Sequence, residues 1–175
     1  DINYPKLFST AGYLPITLPY EVNIEDYFNN FNISGVVLTG GNDLYCCNPN
    51  ELSLKRDKFE TELLEYCSKN EIPVLGLCRG MQMMGVFAGA ALKPADGHVR
   101  TRHQLQGEII GEVNSYHNMI LADCPPGYKV TAVSESGDIE AIKHNTLPWE
   151  GWMWHPEREE TFPEKDINRL RGLIT

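Results

Sequence analysis

The chain lacks the cysteine pattern of a disulfide framework. It has five cysteines in 175 residues (Cys46, Cys47, Cys67, Cys78 and Cys124), an odd number with no CxxC pair. A bridge between the neighbours Cys46 and Cys47 would be strained, and this spacing gives no basis for a thiolate zinc motif. A reducing, cytoplasmic setting is therefore expected. No apolar run approaches the roughly 20 residues of a membrane-spanning helix, so no membrane partner is expected. Positive charge is also scarce: 15 Lys and Arg face 24 Asp and Glu, for a net charge of −9. A nucleic-acid binder would want a basic face, so nucleic acid is not expected as a partner. There is no internal repeat, low-complexity stretch or signal-peptide pattern. The sequence opens at Asp1 rather than Met, so the true N-terminus is expected upstream. What remains is 42% hydrophobic and 22% charged, the composition of one ordinary globular domain over 1–175. A chain of this size buries roughly 70% of its unfolded surface, enough for a core.

Apolar runs alternate with amphipathic ones, which predicts an α/β fold with a mainly parallel, flavodoxin-like sheet and helices on both faces. Leu7 to Ala11 read as the last turn of a helix that Gly12 ends, and Tyr13 to Leu18 as a short strand. Glu25 to Phe31 reads as a short helix. Gly35 to Thr39 is near-continuously apolar, as in a strand covered on both faces, and runs into the tight loop Gly40-Gly41-Asn42-Asp43. Asp57 to Lys69 is the clearest amphipathic helix, with Phe59, Leu63, Leu64 and Cys67 on one face. Val74 to Leu77 is a strand, and Met81 to Ala90 a buried helix in which Met81, Met83 and Met84 serve packing. Val130 to Val133, Ile139 to Ile142 and Gly151 to Trp154 are further strands. Residues 164–174 close the chain as a surface helix with Ile167, Leu170, Leu173 and Ile174 inward.

The sharpest chemical signal is Gly76-Leu77-Cys78-Arg79-Gly80, of the form G-x-C-x-G between a strand and a helix. Its serine counterpart is the nucleophile elbow. A sharp strand-to-helix turn strains the nucleophile's backbone, and flanking glycines give that turn room. Cys78 would then project from the carboxyl end of the sheet, at a helix N-terminus that favours thiolate. The alternative is a small buried core residue. Trp154-His155-Pro156-Glu157 supplies what a cysteine nucleophile needs, a base and an acceptor that orients it. On an extended segment His155 and Glu157 point the same way. Thr39-Gly40-Gly41 offers backbone N–H groups for an oxyanion hole, against the plainer reading of an ordinary turn.

The ordered set LTGGND, RDKFE, PVLGLCRGMQ, NSYHN and WHPE resembles the class I glutamine amidotransferase-like superfamily, and within it the free-standing γ-glutamyl hydrolase branch. The resemblance runs from about Gly12 to the end. It implies Cys78 as nucleophile, His155 as general base and acid, and Glu157 as its orienting carboxylate. It implies an oxyanion hole from Gly40 or Gly41 with the N–H of Arg79. Gln82 matches the glutamine that helps hold the γ-glutamyl group. Ser115, Tyr116 and His117 fall in the segment that contacts the amino-acid head of the substrate, with Asn114 shaping that loop. Arg56 and Asp57 match a pair read as structural. The reaction implied is hydrolysis of a γ-glutamyl amide through a thioester, without cofactor. Its substrate would be a small γ-glutamyl conjugate, such as γ-glutamyl-γ-aminobutyrate or a γ-glutamyl nucleotide amidate of surface-polysaccharide synthesis. The family's opening strand has no counterpart here, so a strand beside Val36–Leu38 is expected from upstream residues. The segment Glu108 to Glu112 is short for the family pattern. The tryptophans of GWMWHPERE are richer than usual and suggest a different leaving group.

Rival readings stay in view. A glutaminase subunit would use the same chemistry and pass ammonia to a synthase partner. A homo-oligomer is also open, as is a non-catalytic binding domain on the same scaffold. A cysteine α/β-hydrolase would need an Asp between Cys and His, and the WHPE order argues against it. Residues His98 to His103 form a small basic island. Arg100 and Arg102 there are candidate contacts for a phosphate on the leaving group, against a plain solvated loop. His98 and His103 hint at metal, but no carboxylate or third histidine stands nearby at ligand spacing, so no metal is expected. His144 has no partner pattern and is read as a surface residue.

Overall fold

A computed structural model describes residues 3–174 of the chain. Helix α1 (Tyr4–Ala11) ends on Gly12, which sits at φ 96° and donates its N–H to Ser9 while Tyr13 donates to Phe8. That left-handed stop is the one expected of Gly12. Helix α2 (Ile24–Asn30) is capped by Asn23, whose side chain accepts from the Glu25 N–H. Strand β1 (Val36–Leu38) leads to the glycine loop.

Helix α3 (Glu51–Lys69) starts a turn and a half before the expected Asp57. Asn50 caps it by accepting from Ser53 N–H at 2.9 Å. Its first turn exposes Leu52 and Leu54, so hydrophobic spacing does not mark that start. Strand β2 (Val74–Leu77) and helix α4 (Arg79–Phe87) meet at Cys78. Strands β3 (Leu92–Pro94), β4 (Val99–Gly107), β5 (Gly111–Tyr116), β6 (Met119–Leu121), β7 (Tyr128–Val133), β8 (Ile139–His144) and β9 (Trp149–Trp152) follow. Helix α5 (Glu164–Leu173) ends the described chain, with Ile167, Leu170, Leu173 and Ile174 buried as expected.

The main sheet has the order β1-β2-β9-β8-β7-β4-β5, and β3 pairs with β6 in a small second sheet. The α/β architecture is the one expected. Within it, β1, β2 and β9 are parallel, whereas β8, β7, β4 and β5 extend the sheet by antiparallel pairing. The parallel strands are covered on both faces. Leu75, Leu77, Trp152 and Trp154 pack with α1 and α5 on one side. Val74, Trp149 and Met153 pack with α3 and α4 on the other. All three tryptophans are buried, with Nε1 donating to Ile72 O (Trp149), Glu150 (Trp152) and Asp166 (Trp154). Their richness therefore serves the core, which corrects the leaving-group reading.

Two further expectations are corrected. Tyr13 to Leu18 is extended but pairs with no strand. Pro15 lacks an N–H to donate, Leu14 is 88% exposed, and the segment lines a groove of about 730 Å³ beside β1. The basic island is not a loop: Val99 to His103 lie in β4, with Thr101, His103 and Leu105 turned inward and Arg102, Gln104 and Gln106 outward. His144 lies at the end of β8, its Nδ1 accepting from the N–H of Leu147.

Helix α4 packs directly on the ends of β1 and β2. A Cβ on Gly80 would lie 2.0 Å from the carbonyl oxygen of Leu38, and one on Gly76 would lie 2.6 Å from the backbone of Gly80. Backbone cannot yield as a flexible side chain does. Gly80→Ala is therefore expected to destabilise the protein by about 3 kcal/mol or more in urea denaturation, at the upper end for overpacking. A loss below about 1 kcal/mol would show that α4 can move away from the sheet.

Candidate active site

The site forms where β1, β2 and β9 end. Leu77 pairs with Trp152, and one step on the Cys78 N–H donates to Trp152 O at 2.7 Å. Cys78 then turns the chain at φ 51°, ψ −104°, outside the ordinary basins for a side-chain-bearing residue. Such strain costs roughly 1–3 kcal/mol and persists where surroundings fix it. Here they do: Gln82 N–H donates back to Cys78 O at 3.1 Å, and the two elbow glycines admit no side chain.

Burial pushes the Cys78 thiol up to about 12 and the Glu157 carboxylate pushes the same way, while the Arg79 N–H and the Arg158 charge pull down. The expectation that the helix N-terminus favours thiolate is thus overruled by desolvation. The resting sulfur is a neutral thiol.

His155 follows β9 and is buried, with Nδ1 2.6 Å from Glu157 Oε1. The contact is made differently from the extended segment expected. Pro156 starts a single 3-10 turn over Pro156–Arg158, which swings Glu157 back beneath the imidazole. Asn114 holds the histidine's backbone from both ends: its Oδ1 accepts from His155 N–H and its Nδ2 donates to His155 O, each at 2.8 Å. Nδ2 also reaches Glu159 Oε1 at 2.8 Å.

The glycine loop packs against the imidazole. A Cβ on Gly40 would lie 2.7 Å from His155 Cε1, and one on Gly41 (φ 145°) 2.6 Å from the Arg56 guanidinium. Gly40 N–H already donates to the Tyr4 hydroxyl at 3.1 Å. Burial and the neighbouring Glu157 carboxylate push the Tyr4 phenol well above its ordinary value. Nothing near Asn3-Tyr4-Pro5 marks Tyr4 as a site residue in the sequence. The Arg56 guanidinium donates to Thr39 O and Asn42 Oδ1 and pairs with Glu60. Arg79 pairs with Asp57 and Glu60. The RDKFE segment thus braces both the glycine loop and the elbow.

The other expected site residues divide. Gln82 stands on the first turn of α4 and donates from Nε2 to Met119 O at 2.8 Å. Tyr116 stands edge-on to the His155 ring at 5.8 Å, under the Arg158 guanidinium. Arg158, to which no sequence motif draws attention, directly follows Glu157. Ser115 and His117, pointing to the other face of the hairpin, are buried: Ser115 Oγ donates to His98 O, and His117 Nε2 lies 2.9 Å from His98 Nδ1. Arg102 pairs with Glu112 and Glu159, and Arg100 is an exposed residue of β4 at φ 56°.

A fold of this kind, with a strained cysteine at an elbow and a His–Glu pair on the neighbouring strand, defines a class of hydrolase-type enzymes, and the chain belongs to it: the class-I glutamine amidotransferase family model matches residues 6–170. Among its relatives, the chain is 33% identical to a γ-glutamyl-CDP-amidate hydrolase of Campylobacter jejuni, over 90% of this chain and 80% of that one. It is 28% identical to the glutamine-hydrolysing subunit of the GMP synthase of Pyrococcus abyssi, over 94% and 88%. In structure it resembles a putative GMP synthase subunit from Thermoplasma acidophilum, with TM-score 0.78 and 20% identity over 98% of this chain and 86% of that one. Among the described residues no helix is long and apolar enough to cross a membrane.

The neutral thiol carries a measurable consequence. Alkylation of Cys78 in the resting protein by a small uncharged reagent is expected to speed up about tenfold per pH unit from pH 7 to 9, with no plateau in that range. Mass spectrometry of the Cys78 peptide would follow it. A plateau below pH 8 would mean a thiolate already formed at neutral pH.

Proposed function

We propose that this chain hydrolyses γ-glutamyl amides, with Cys78, His155 and Glu157 as a catalytic triad and a small γ-glutamyl conjugate as substrate. The observation that carries the reading is the pairing of the strained Cys78 elbow with the 2.6 Å His155–Glu157 contact on the adjacent strand. Glu157 accepts from His155 Nδ1, which leaves Nε2 as the free acceptor. As Cys78 Sγ attacks the γ-carbonyl, His155 takes the thiol proton. The carbonyl oxygen becomes an oxyanion held by the N–H groups of Arg79 and Gly41, since the Gly40 N–H is taken by Tyr4. His155 then gives its proton to the leaving nitrogen, and the C–N bond breaks to leave a thioester. Water, deprotonated by His155, cleaves the thioester and releases glutamate and free thiol. Gln82 and Tyr116 line the γ-glutamyl end, and no cofactor enters.

The likeness to the Campylobacter hydrolase supports a nucleotide amidate as substrate class. An anionic leaving group would meet Arg158 first, whose charge reaches the thiol. It would engage Arg102 only by displacing Glu112 or Glu159, while Arg100 is exposed. The second reading, a glutaminase subunit feeding ammonia to a synthase, is favoured by the likeness to the Pyrococcus GMP synthase component. The two separate in one assay: glutamate release from γ-glutamyl nucleotide amidates, γ-glutamyl-γ-aminobutyrate and glutamine by the isolated chain. Efficient release from a conjugate and slow release from glutamine supports the hydrolase. Turnover of glutamine alone supports the glutaminase.

On the favoured substrate, Cys78→Ala is expected to abolish turnover with the fold retained. His155→Ala should lose roughly 10²–10⁴-fold or more, and Glu157→Gln less than His155→Ala. A Glu157→Gln loss exceeding that of His155→Ala would overturn the role assignment.

For the leaving group, Arg158→Ala is expected to raise KM for a nucleotide amidate roughly 10- to 100-fold, the worth of a charge-assisted contact, and to leave KM for glutamine within about threefold. Equal effects on both substrates would remove Arg158 from leaving-group recognition.

A further inference from the structure

The basic island holds two histidines that the fold does not leave in solvent. His98 and His103 meet His117, just past β5, and Glu140 on β8, so a third histidine and a carboxylate stand beside them after all. Sequence spacing hides this because the four residues come from three strands that only the sheet brings together. His98, His117 and Glu140 are each at most 3% exposed, and one donor atom from each of the four residues lies within 4.8 Å of all the others.

We propose that His98, His103, His117 and Glu140 form a binding site for one divalent transition-metal ion, zinc by the chemistry of the donors, which fastens the antiparallel half of the sheet behind the thiol. Three observations carry it. The first is spacing. Donors of a tetrahedral zinc site at 2.0–2.1 Å lie roughly 3.4 Å from one another. Here His98 Nδ1 to Glu140 Oε1 is 3.4 Å, His117 Nε2 to Glu140 Oε1 3.6 Å, His103 Nε2 to Glu140 Oε1 3.9 Å and His117 Nε2 to His98 Nδ1 2.9 Å. The second is unmet hydrogen bonding. His103 Nε2 and both oxygens of Glu140 are buried without a hydrogen-bond partner. A carboxylate with no exposed surface and no donor is costly, and a cation answers both oxygens and the imidazole together.

The third is proton accounting. His98 Nε2 faces Asp138 Oδ2 at 3.1 Å and so carries the proton on that side. Ser115 Oγ spends its proton on His98 O at 2.6 Å, so its 3.4 Å contact with His117 Nδ1 calls for an N–H from the ring. Both rings then turn lone pairs toward each other across 2.9 Å. Two lone pairs at that distance repel unless a cation lies between them. Carboxylate and hydroxyl partners on the far nitrogens are also what orients imidazole ligands in metal sites.

Four protein donors and deep burial leave no open coordination position, so the ion is structural and takes no part in hydrolysis. Its effect is on position. Glu140 O accepts from Met153 N–H at 2.8 Å, two residues before His155, and the same hairpin carries Asn114 and Tyr116.

The test uses untagged full-length chain purified without chelator, metal content by plasma mass spectrometry, and titration of chelator-treated protein with Zn²⁺ and Co²⁺. About one ion per chain is expected. Cobalt should give the intense visible absorption of a tetrahedral nitrogen-rich site without thiolate charge transfer. At a hundredfold excess over Kd, Zn²⁺ should raise Tm by roughly 5–10 °C. His103→Ala and Glu140→Gln should lose the ion, while Cys46→Ser with Cys47→Ser keeps it. Should His103→Ala or Glu140→Gln fail to fold, the wild-type cobalt spectrum still decides. Absence of Zn²⁺ and Co²⁺ binding at micromolar concentration, a thiolate spectrum, or loss of the ion only in the cysteine variant would overturn the proposal.

Discussion

The whole site depends on β2 and β9 ending side by side. Parallel neighbours in register bring their carboxyl ends to one level, and Leu77 opposite Trp152 sets that level here. The hydrogen bond from Cys78 N–H to Trp152 O is the last rung. Past it, β2 bends sharply into α4, whereas the other chain runs on to His155 and turns at Pro156. The third strand end, β1, delivers the glycine loop to the same level, and Gly80 sits against its last carbonyl. Three chain segments far apart in sequence are thus fixed relative to one another by backbone pairing alone, before any side chain is considered.

Buried charge then locks what backbone pairing has placed. Arg79 and Arg56 are both buried, and between them stand Glu60, shared by the two, and Asp57 on Arg79. Taking such groups out of water is expensive, and removing one partner of a buried pair costs roughly 3–5 kcal/mol. A hydrophobic cluster of equal volume would hold α3 to α4 at least as well. What it would not do is donate to Thr39 O and Asn42 Oδ1, which Arg56 does. The network's distinctive effect is therefore the position of the Thr39-Gly40 turn, on which the Gly40 contact with His155 depends.

Much of this was legible in the sequence, for identifiable reasons. Val74 to Leu77 is a fully buried strand bounded by Pro73 and the elbow, and its bounds are those read from the sequence. Gly12 as a helix stop, and the inward face of α5, also followed from local pattern. Strand β4 did not. Its alternation is regular, but its inward positions are Thr101 and His103 rather than aliphatics, so the period passed for a polar loop. The start of α3 was hidden by exposed leucines, and α1's Tyr4 by the absence of any local mark. The His–Glu contact was legible as a pair, though it forms through a turn rather than an extended segment. The division of Tyr116 from Ser115 and His117 follows from strand alternation, and it needed only the knowledge that β5 is a strand.

The thiol's environment decides how the proposed chemistry would be shared out. In a site with a preformed thiolate and imidazolium, the histidine has already taken its proton and acts first as an acid. Here burial and Glu157 hold the sulfur neutral, and only Arg79 N–H and Arg158 oppose them. An anionic substrate group resting on Arg158 would cancel one of those two, leaving the thiolate harder still to form. Proton transfer to His155 must then accompany attack rather than precede it. That places the whole demand for basicity on Nε2, and so on the 2.6 Å contact with Glu157 and the two backbone bonds from Asn114 that aim the ring. The imidazole's support is accordingly rigid on every side that substrate does not occupy: Gly40 beneath it, Asn114 on its backbone, Glu157 on Nδ1 and Tyr116 at its edge.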